Sequence, residues 1–231
     1  MSVEQTQSKR YVQISKALSY LLRHGATKEN LIIDNNGYIS VKTILAHNRL
    51  KTHKCTLDEL HLIVENNDKK RFHLKNIDNE ELICATQGHS IKTIIPSEDV
   101  LQQITNIDYL PKNLVHGTNI SNAISIFQSG SIKKLGRNHV HLSPGVTGRD
   151  AEVISGMRYS STVHIYMKRN EELLNQLQLV KSLNNVFLTS EDIPISLFEK
   201  LTIRVSSNTD KEETLKLKEV LESMEIPYKI L

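Results

Sequence analysis

The sequence predicts an α+β protein of 231 residues folded as two lobes. Three observations predict it. Residues 1–95 run as helix-periodic segments closed by two short alternating strands. The stretch from Ile95 to Pro111 holds two of the five prolines and reads as a boundary. Beyond it strands and helices alternate, so the lobes are taken as 1–95 and 96–231.

Tyr11, Ile14, Leu18, Leu21 and Leu22 recur at three- and four-residue steps, which is a helix, and Gly25 follows as its stop. In LIIDNNGYISV, apolar residues flank Asp34-Asn35-Asn36-Gly37, a strong turn signal. Val41, Ile44 and Leu45 predict a short second helix. Thr56-Leu57-Asp58-Glu59 is a capping box for a third, continued by Leu60, Ile63 and Val64. RFHLKNIDNEELICAT then reads as two strands around a polar turn from Ile77 to Glu80. Helices followed by a β-hairpin are the order of a winged-helix module, a frequent nucleic-acid binder. In the second lobe LVHGT, HVHLS, TVHIYM, NVFLT and LTIRV read as strands. Asn119 caps a helix that ends at Gly130, and further helices fall near 171–180 and 210–223.

Net charge is only +3, but residues 1–95 carry 14 Lys and Arg against 10 Asp and Glu, with six of the ten histidines. Residues 96–231 carry 15 against 16. A basic first lobe suits a polyanion. No apolar run reaches membrane-span length, and MSVEQTQSKR has no apolar core of a secretory signal. Cys55 and Cys84 stand far apart, so an intracellular protein without disulfides or a zinc knuckle is expected, in nucleus or cytoplasm.

The candidate chemistry is basic and hydroxylic. Arg23-His24 closes the first helix, where the helix dipole favours cations and is expected to keep His24 protonated. Arg71 enters a strand, and Arg137 precedes Asn138-His139-Val140-His141-Leu142-Ser143. No carboxylate stands beside any of them in the sequence. Guanidinium and imidazole without Asp or Glu suit phosphates better than water-activating hydrolysis. His139 and His141 share one strand face and with His116 could surround a metal. No carboxylate is written nearby to orient them, so hydrogen-bonding histidines and no metal are expected. GxxxxGK[ST], GxGxxG and GxSxG are missing, which disfavours a P-loop ATPase, a Rossmann dehydrogenase and a serine hydrolase. Gly117, Thr118 and Ser143 remain as a backbone approach and hydroxyl donors for a nucleotide.

The ordered set LSYLLRH, DNNGY, RFHL, ATQGHSI, LVHGT, RNHVHLS, ISGMR and NNVFLT resembles the NAD-dependent RNA 2′-phosphotransferases, over about Ser15 to Ile203. The resemblance implies a winged-helix RNA lobe and an ADP-ribosyltransferase-like NAD lobe. It implies that 2′-phosphorylated RNA, chiefly ligated tRNA, and NAD are the substrates, with a monomer the default. In the implied reaction the splice-junction 2′-phosphate displaces nicotinamide from NAD. The adjacent ribose hydroxyl then takes the phosphate, leaving 2′-hydroxyl RNA and ADP-ribose 1″,2″-cyclic phosphate. A catalytic quartet is implied at Arg23, His24, Arg71 and Arg137. NAD contacts are implied at His116, Gly117, Thr118, His141, Ser143, Gly156 and Arg158, with Gln87, Gly88 and His89 lining the RNA side. Cys84 stands where the family often has Arg. Two alternatives share parts of this reading. One is an ADP-ribosyltransferase that caps nucleic-acid ends or modifies protein. The other is a winged-helix binding protein with an inert second lobe, against which the intact quartet argues.

Overall fold

The computed structural model describes residues 3–207 and 209–231, with side chains from Lys9 onward. They form an α+β fold whose backbone groups into two compact units. One is Met1–Leu101 with Gly136–Asn138, and the other is Gln102–Leu135 with His139–Leu231.

In the first unit α1 (Val3–Tyr20) buries Ile14 and Leu18 completely, and Leu21 and Leu22 extend that face. The helix does not simply stop there. Leu21–Gly25 form a π-helical turn, in which Ala26 N–H donates to the Leu21 carbonyl, five residues back, at 3.0 Å. Such turns are uncommon and gather at functional positions. Gly25 permits it, because a Cβ there would lie 2.4 Å from the Tyr20 ring.

The expected turn at Asp34–Gly37 is present, with Gly37 N–H donating to the Asp34 carbonyl at 3.0 Å. Only β1 (Tyr38–Ser40) is extended, because Asp34 Oδ1 accepts from Asn36 N–H at 2.9 Å and Tyr38 N–H at 2.7 Å and holds the chain in a turn. α2 (Val41–Ala46) follows as expected. The short α3 (Asn48–Lys51) has too little apolar periodicity to be visible in the sequence. α4 (Leu57–Glu65) carries the full Thr56–Glu59 capping box. β2 (Phe72–Ile77) and β3 (Glu80–Ala85) pair in register from Phe72↔Ala85 to Ile77↔Glu80. Asp78 and Asn79 both adopt positive φ, 49° and 65°, as a two-residue hairpin turn requires. The sheet order is β1-β3-β2, and Leu50, Leu60, Ile63, Phe72 and Ile83 close the core over α1. Each fully buried Leu or Ile contributes about 1.5–3 kcal/mol.

The second unit is built on two four-stranded sheets. One contains β4 (Leu101–Gln103), β9 (Val180–Ser182), β10 (Phe187–Thr189) and β7 (Val140–Leu142), in that order. The other runs β13 (Tyr228–Ile230), β12 (Phe198–Ile203), β8 (Val163–Met167), β5 (Val115–Thr118). Two further short strands, β6 (Ser131–Ile132) and β11 (Ile193–Pro194), pair with each other. Val115 and Ser143 exchange both backbone hydrogen bonds, 2.9 and 2.8 Å, and so stitch β5 to the end of β7. α5 (Ile120–Ser129) begins at Asn119, whose Oδ1 accepts from Asn122 N–H, and ends at Gly130 with φ 77°. α6 (Glu171–Gln176) and α7 (Lys211–Ser223) take the expected places. Phe127, Phe187, Leu142 and Ile165 lie in a single core.

Candidate active site

Three chain segments of the first unit meet at Arg23. The π-helical turn presents Arg23 and His24, and the irregular segment after β3, which holds Ser90, returns to them. Ser90 N–H donates to the Arg23 carbonyl at 2.9 Å, while Ser90 Oγ lies 2.9 Å from His24 Nδ1. The same hydroxyl reaches the Arg23 carbonyl at 3.5 Å, so it accepts from Nδ1–H and leaves Nε2 for a ligand. Gly88, at φ +89°, backs the guanidinium: a Cβ there would lie 3.5 Å from Arg23 Nε. Gln87 and His89 flank it as buried polar residues.

Arg71 stands at the entrance to β2. Its backbone N–H and its guanidinium both donate to Asn67 Oδ1, at 3.2 and 3.4 Å, and Asn67 Nδ2 in turn donates to Ser15 Oγ at 3.4 Å. Arg137 arrives on the returning segment Gly136–Asn138, which packs with the first unit. Asn138 fastens that segment, its N–H donating to the His89 carbonyl at 2.9 Å and its Nδ2 to the Ile91 carbonyl at 2.9 Å. All four members of the expected quartet therefore lie in one cluster.

The electrostatics are those of a site built for an anion. Arg23 Nε and Nη2 are buried and have no hydrogen-bond partner among the described residues. Burial, with Arg71 and Arg137 close by, pushes the Arg23 guanidinium down to about 10. Burial together with Arg23 and Arg137 lowers His24 as well. This corrects the expectation that a helix dipole keeps His24 protonated. The turn has widened into a π-helix, and burial with two neighbouring guanidinium groups outweighs the partial charge of its end. A phosphate would satisfy the orphaned nitrogens and reverse both depressions.

In the second unit the expected cofactor residues also gather. His116 Nδ1 donates to the His141 carbonyl at 3.1 Å, which fixes the tautomer, and burial lowers its pKa. Gly117 lies beneath Met157, where a Cβ would sit 2.3 Å from the Met157 Cγ. Gly156, at φ +97°, packs so closely that a Cβ would be 3.3 Å from Ser143 Cβ. Ser143 itself is fully buried and gives its hydroxyl to the Gly145 carbonyl. Thr118 closes β5, its carbonyl accepting from Thr162 N–H at 2.9 Å, and Arg158 is exposed. The described residues contain no group of three or more His, Cys, Asp or Glu placed to hold a metal ion. None of their helices is long and apolar enough to cross a membrane.

Comparison with known proteins agrees with this chemistry. The family described as RNA 2'-phosphotransferase, Tpt1 / KptA family, matches residues 9–191. The chain belongs to the RNA 2′-phosphotransferase family. It is 52% identical over 221 residues to the tRNA 2'-phosphotransferase of Saccharomyces cerevisiae, covering 95% of each chain. The tRNA 2'-phosphotransferase 1 of Danio rerio is 36% identical over 186 residues, 79% of this chain and 80% of its own. A probable RNA 2'-phosphotransferase of Flavobacterium johnsoniae is 33% identical over 181 residues, 78% of this chain and 92% of its own. For a member of the RNA 2′-phosphotransferase family, two residues that the sequence left unassigned gain a place. Ser90 orients His24 and Asn67 orients Arg71. Ser90 was visible only as the last letter of QGHS, and Asn67 sits in a polar stretch with no signal of its own.

Proposed function

We propose that this protein is an NAD-dependent tRNA 2′-phosphotransferase, which removes the splice-junction 2′-phosphate from ligated tRNA. The observation that carries the reading is the buried Arg23 guanidinium, whose Nε and Nη2 have no hydrogen-bond partner among the described residues, beside Arg71 and Arg137. On this reading the first unit, helices followed by a three-stranded sheet, is a winged-helix RNA lobe. The second, with its paired sheets, is an ADP-ribosyltransferase-like lobe. Its residues fit NAD. Gly117 and Gly156 bring main chain close to neighbouring segments, His116 offers Nε2 as an acceptor, and Arg158 is an exposed cation for a pyrophosphate. Thr118 ends β5 and His141 lies on β7, the two strands bridged at Val115 and Ser143, while the Ser143 hydroxyl holds the 143–145 turn from within. When bound, NAD supplies an electrophilic ribose carbon and then the neighbouring hydroxyl that receives the phosphate.

The chain's own work is positioning and charge. The RNA phosphate is already an anion, so Arg23, Arg71 and Arg137 need only hold it in line. The bound dianion favours the imidazolium, so His24 takes up a proton from solvent. With Nδ1 held by Ser90, His24 then gives a proton from Nε2 to the departing 2′-oxygen, and the proton released by the attacking ribose hydroxyl passes to solvent. The test is 2′-phosphorylated RNA plus NAD with product analysis. Nicotinamide and ADP-ribose 1″,2″-cyclic phosphate are expected. A stable ADP-ribosylated RNA would instead make it an ADP-ribosyltransferase, and no consumption of NAD would reject both.

A further inference from the structure

The phosphate cluster occupies only one end of a larger feature. A groove of about 920 Å³ in the first unit runs along α1 and the end of α4. That volume lies at the upper end of ligand clefts and far exceeds what one phosphate needs. Along one wall stand Tyr11, Ser15, Ser19 and Arg23, one every four residues, with Lys16 and Tyr20 beside them. Each step advances about 6 Å along the helix. The facing wall carries Asn66, Asn67, Lys69 and Arg71. Four cations line the groove, Lys16, Arg23, Lys69 and Arg71, against the single carboxylate Asp68.

We propose that this groove seats the RNA nucleotide next to the one that bears the 2′-phosphate. The inference rests on the proposed function and extends it. The helix repeat presents a hydroxyl or cation at each turn, a step comparable to that between successive phosphates of a single strand. Tyr11 supplies aromatic surface for a base, and serine hydroxyls supply partners for ribose hydroxyls. Asn66 Nδ2 is given to the Leu62 carbonyl and Asn67 bridges Ser15 and Arg71, so neither amide offers a whole donor and acceptor fork to read base identity, and the subsite accepts any base and requires a strand. It is continuous with the Arg23–Arg71 cluster through Asn67, which touches both Ser15 and Arg71.

The experiment uses the full chain and its Lys16→Glu and Lys69→Glu variants, both at exposed positions. Circular dichroism and melting confirm that they fold. Each is titrated with a short fluorescent single-stranded RNA that lacks a 2′-phosphate, over a salt series. Binding should weaken about tenfold in each variant, and the log–log salt slope should flatten by about 0.7 per lost phosphate contact. Unchanged affinity and slope in both variants would overturn the inference. In a second arm, kcat/KM is measured on 2′-phosphorylated RNAs with and without the flanking nucleotide. The wild type should gain from that nucleotide, and the variants should lose more on the longer RNA than on the shorter. Equal losses on both lengths would also overturn it. A protein that binds RNA through Lys16 and Lys69 but turns over neither substrate would leave the groove standing and reject the phosphotransferase reading.

Discussion

Replacing Arg23 with Met should stabilise the ligand-free protein while abolishing its activity. The guanidinium is held down at about 10, well below its ordinary value, first by burial and then by Arg71 and Arg137. Each pH unit is worth about 1.4 kcal/mol, so the charge costs the folded state on the order of 3 kcal/mol. The sign follows from proton linkage. A base depressed in the folded state penalises folding in full below about 10, and the penalty fades only as pH rises from there towards the ordinary guanidinium value. At neutral pH it is constant, so substitution and not titration exposes it. Met keeps the aliphatic packing and removes the charge, and partial solvent access reduces the expected gain to about 1–3 kcal/mol. Urea unfolding of the full chain at pH 7 measures it. Phosphate at a hundred times its dissociation constant should stabilise the wild type by about 2.7 kcal/mol and the variant far less. Turnover should fall by about 10²–10³, the loss typical of removing a group that stabilises transition-state charge. A variant less stable than the wild type, or one stabilised equally by phosphate, would refute the idea of an anion site strained in its empty state.

Three further outcomes are expected. His24→Ala and Arg137→Ala should slow release of 2′-hydroxyl RNA more than release of nicotinamide, measured in single turnovers; equal losses would assign both residues to substrate binding alone. Gly117→Ala, whose Cβ would lie 2.3 Å from Met157 Cγ, should raise the KM for NAD about tenfold, and adding Met157→Ala should recover part of it. His164, 1% exposed and held at about 4 by burial and by Arg204 and Arg149, is a pH liability unrelated to catalysis. Its stabilising neutral form is favoured above the unfolded value near 6.5 and is lost as pH falls. Urea unfolding at pH 7 and pH 5 should therefore show the wild type losing about 2 kcal/mol more than His164→Gln.

The sequence carried the elements whose cause is local. The capping box at Thr56, the Asp78-Asn79 hairpin turn and the Asn119 cap with Gly130 are written in adjacent residues and stand where they were expected. The π-helical turn was hidden, because LLRHG has ordinary helix composition and only the closure from Ala26 to Leu21 distinguishes it. That only one side of the Asp34–Gly37 turn is a strand was not written locally either. The apolar residues of LIID look like a strand partner, yet β3 pairs with β1 and leaves Ile32 89% exposed. In the site, the cations were legible by type and their company was not. Asn67 and Ser90 act by touching Arg71 and His24 across chain separations of 4 and 66 residues, the second too long for any periodicity to encode. Cys84 is fully buried on β3, with its thiol pushed up to about 12 chiefly by burial, so it behaves as a core residue.

The five-residue closure at Leu21–Gly25 also constrains how this region can change in length. In a regular helix, losing one residue turns everything beyond it by about 100°. Here the turn already contains one residue more than an α-helical step, so a single deletion between Leu21 and Gly25 would restore α geometry. It would swing the Arg23-His24 pair around the axis, away from Ser90, without disturbing the Ile14–Leu18 anchor. Alignments of related chains should accordingly show no gaps in this stretch, however freely loops elsewhere vary. A one-residue deletion there should abolish turnover, with some loss of stability because Leu21 and Leu22 are fully buried.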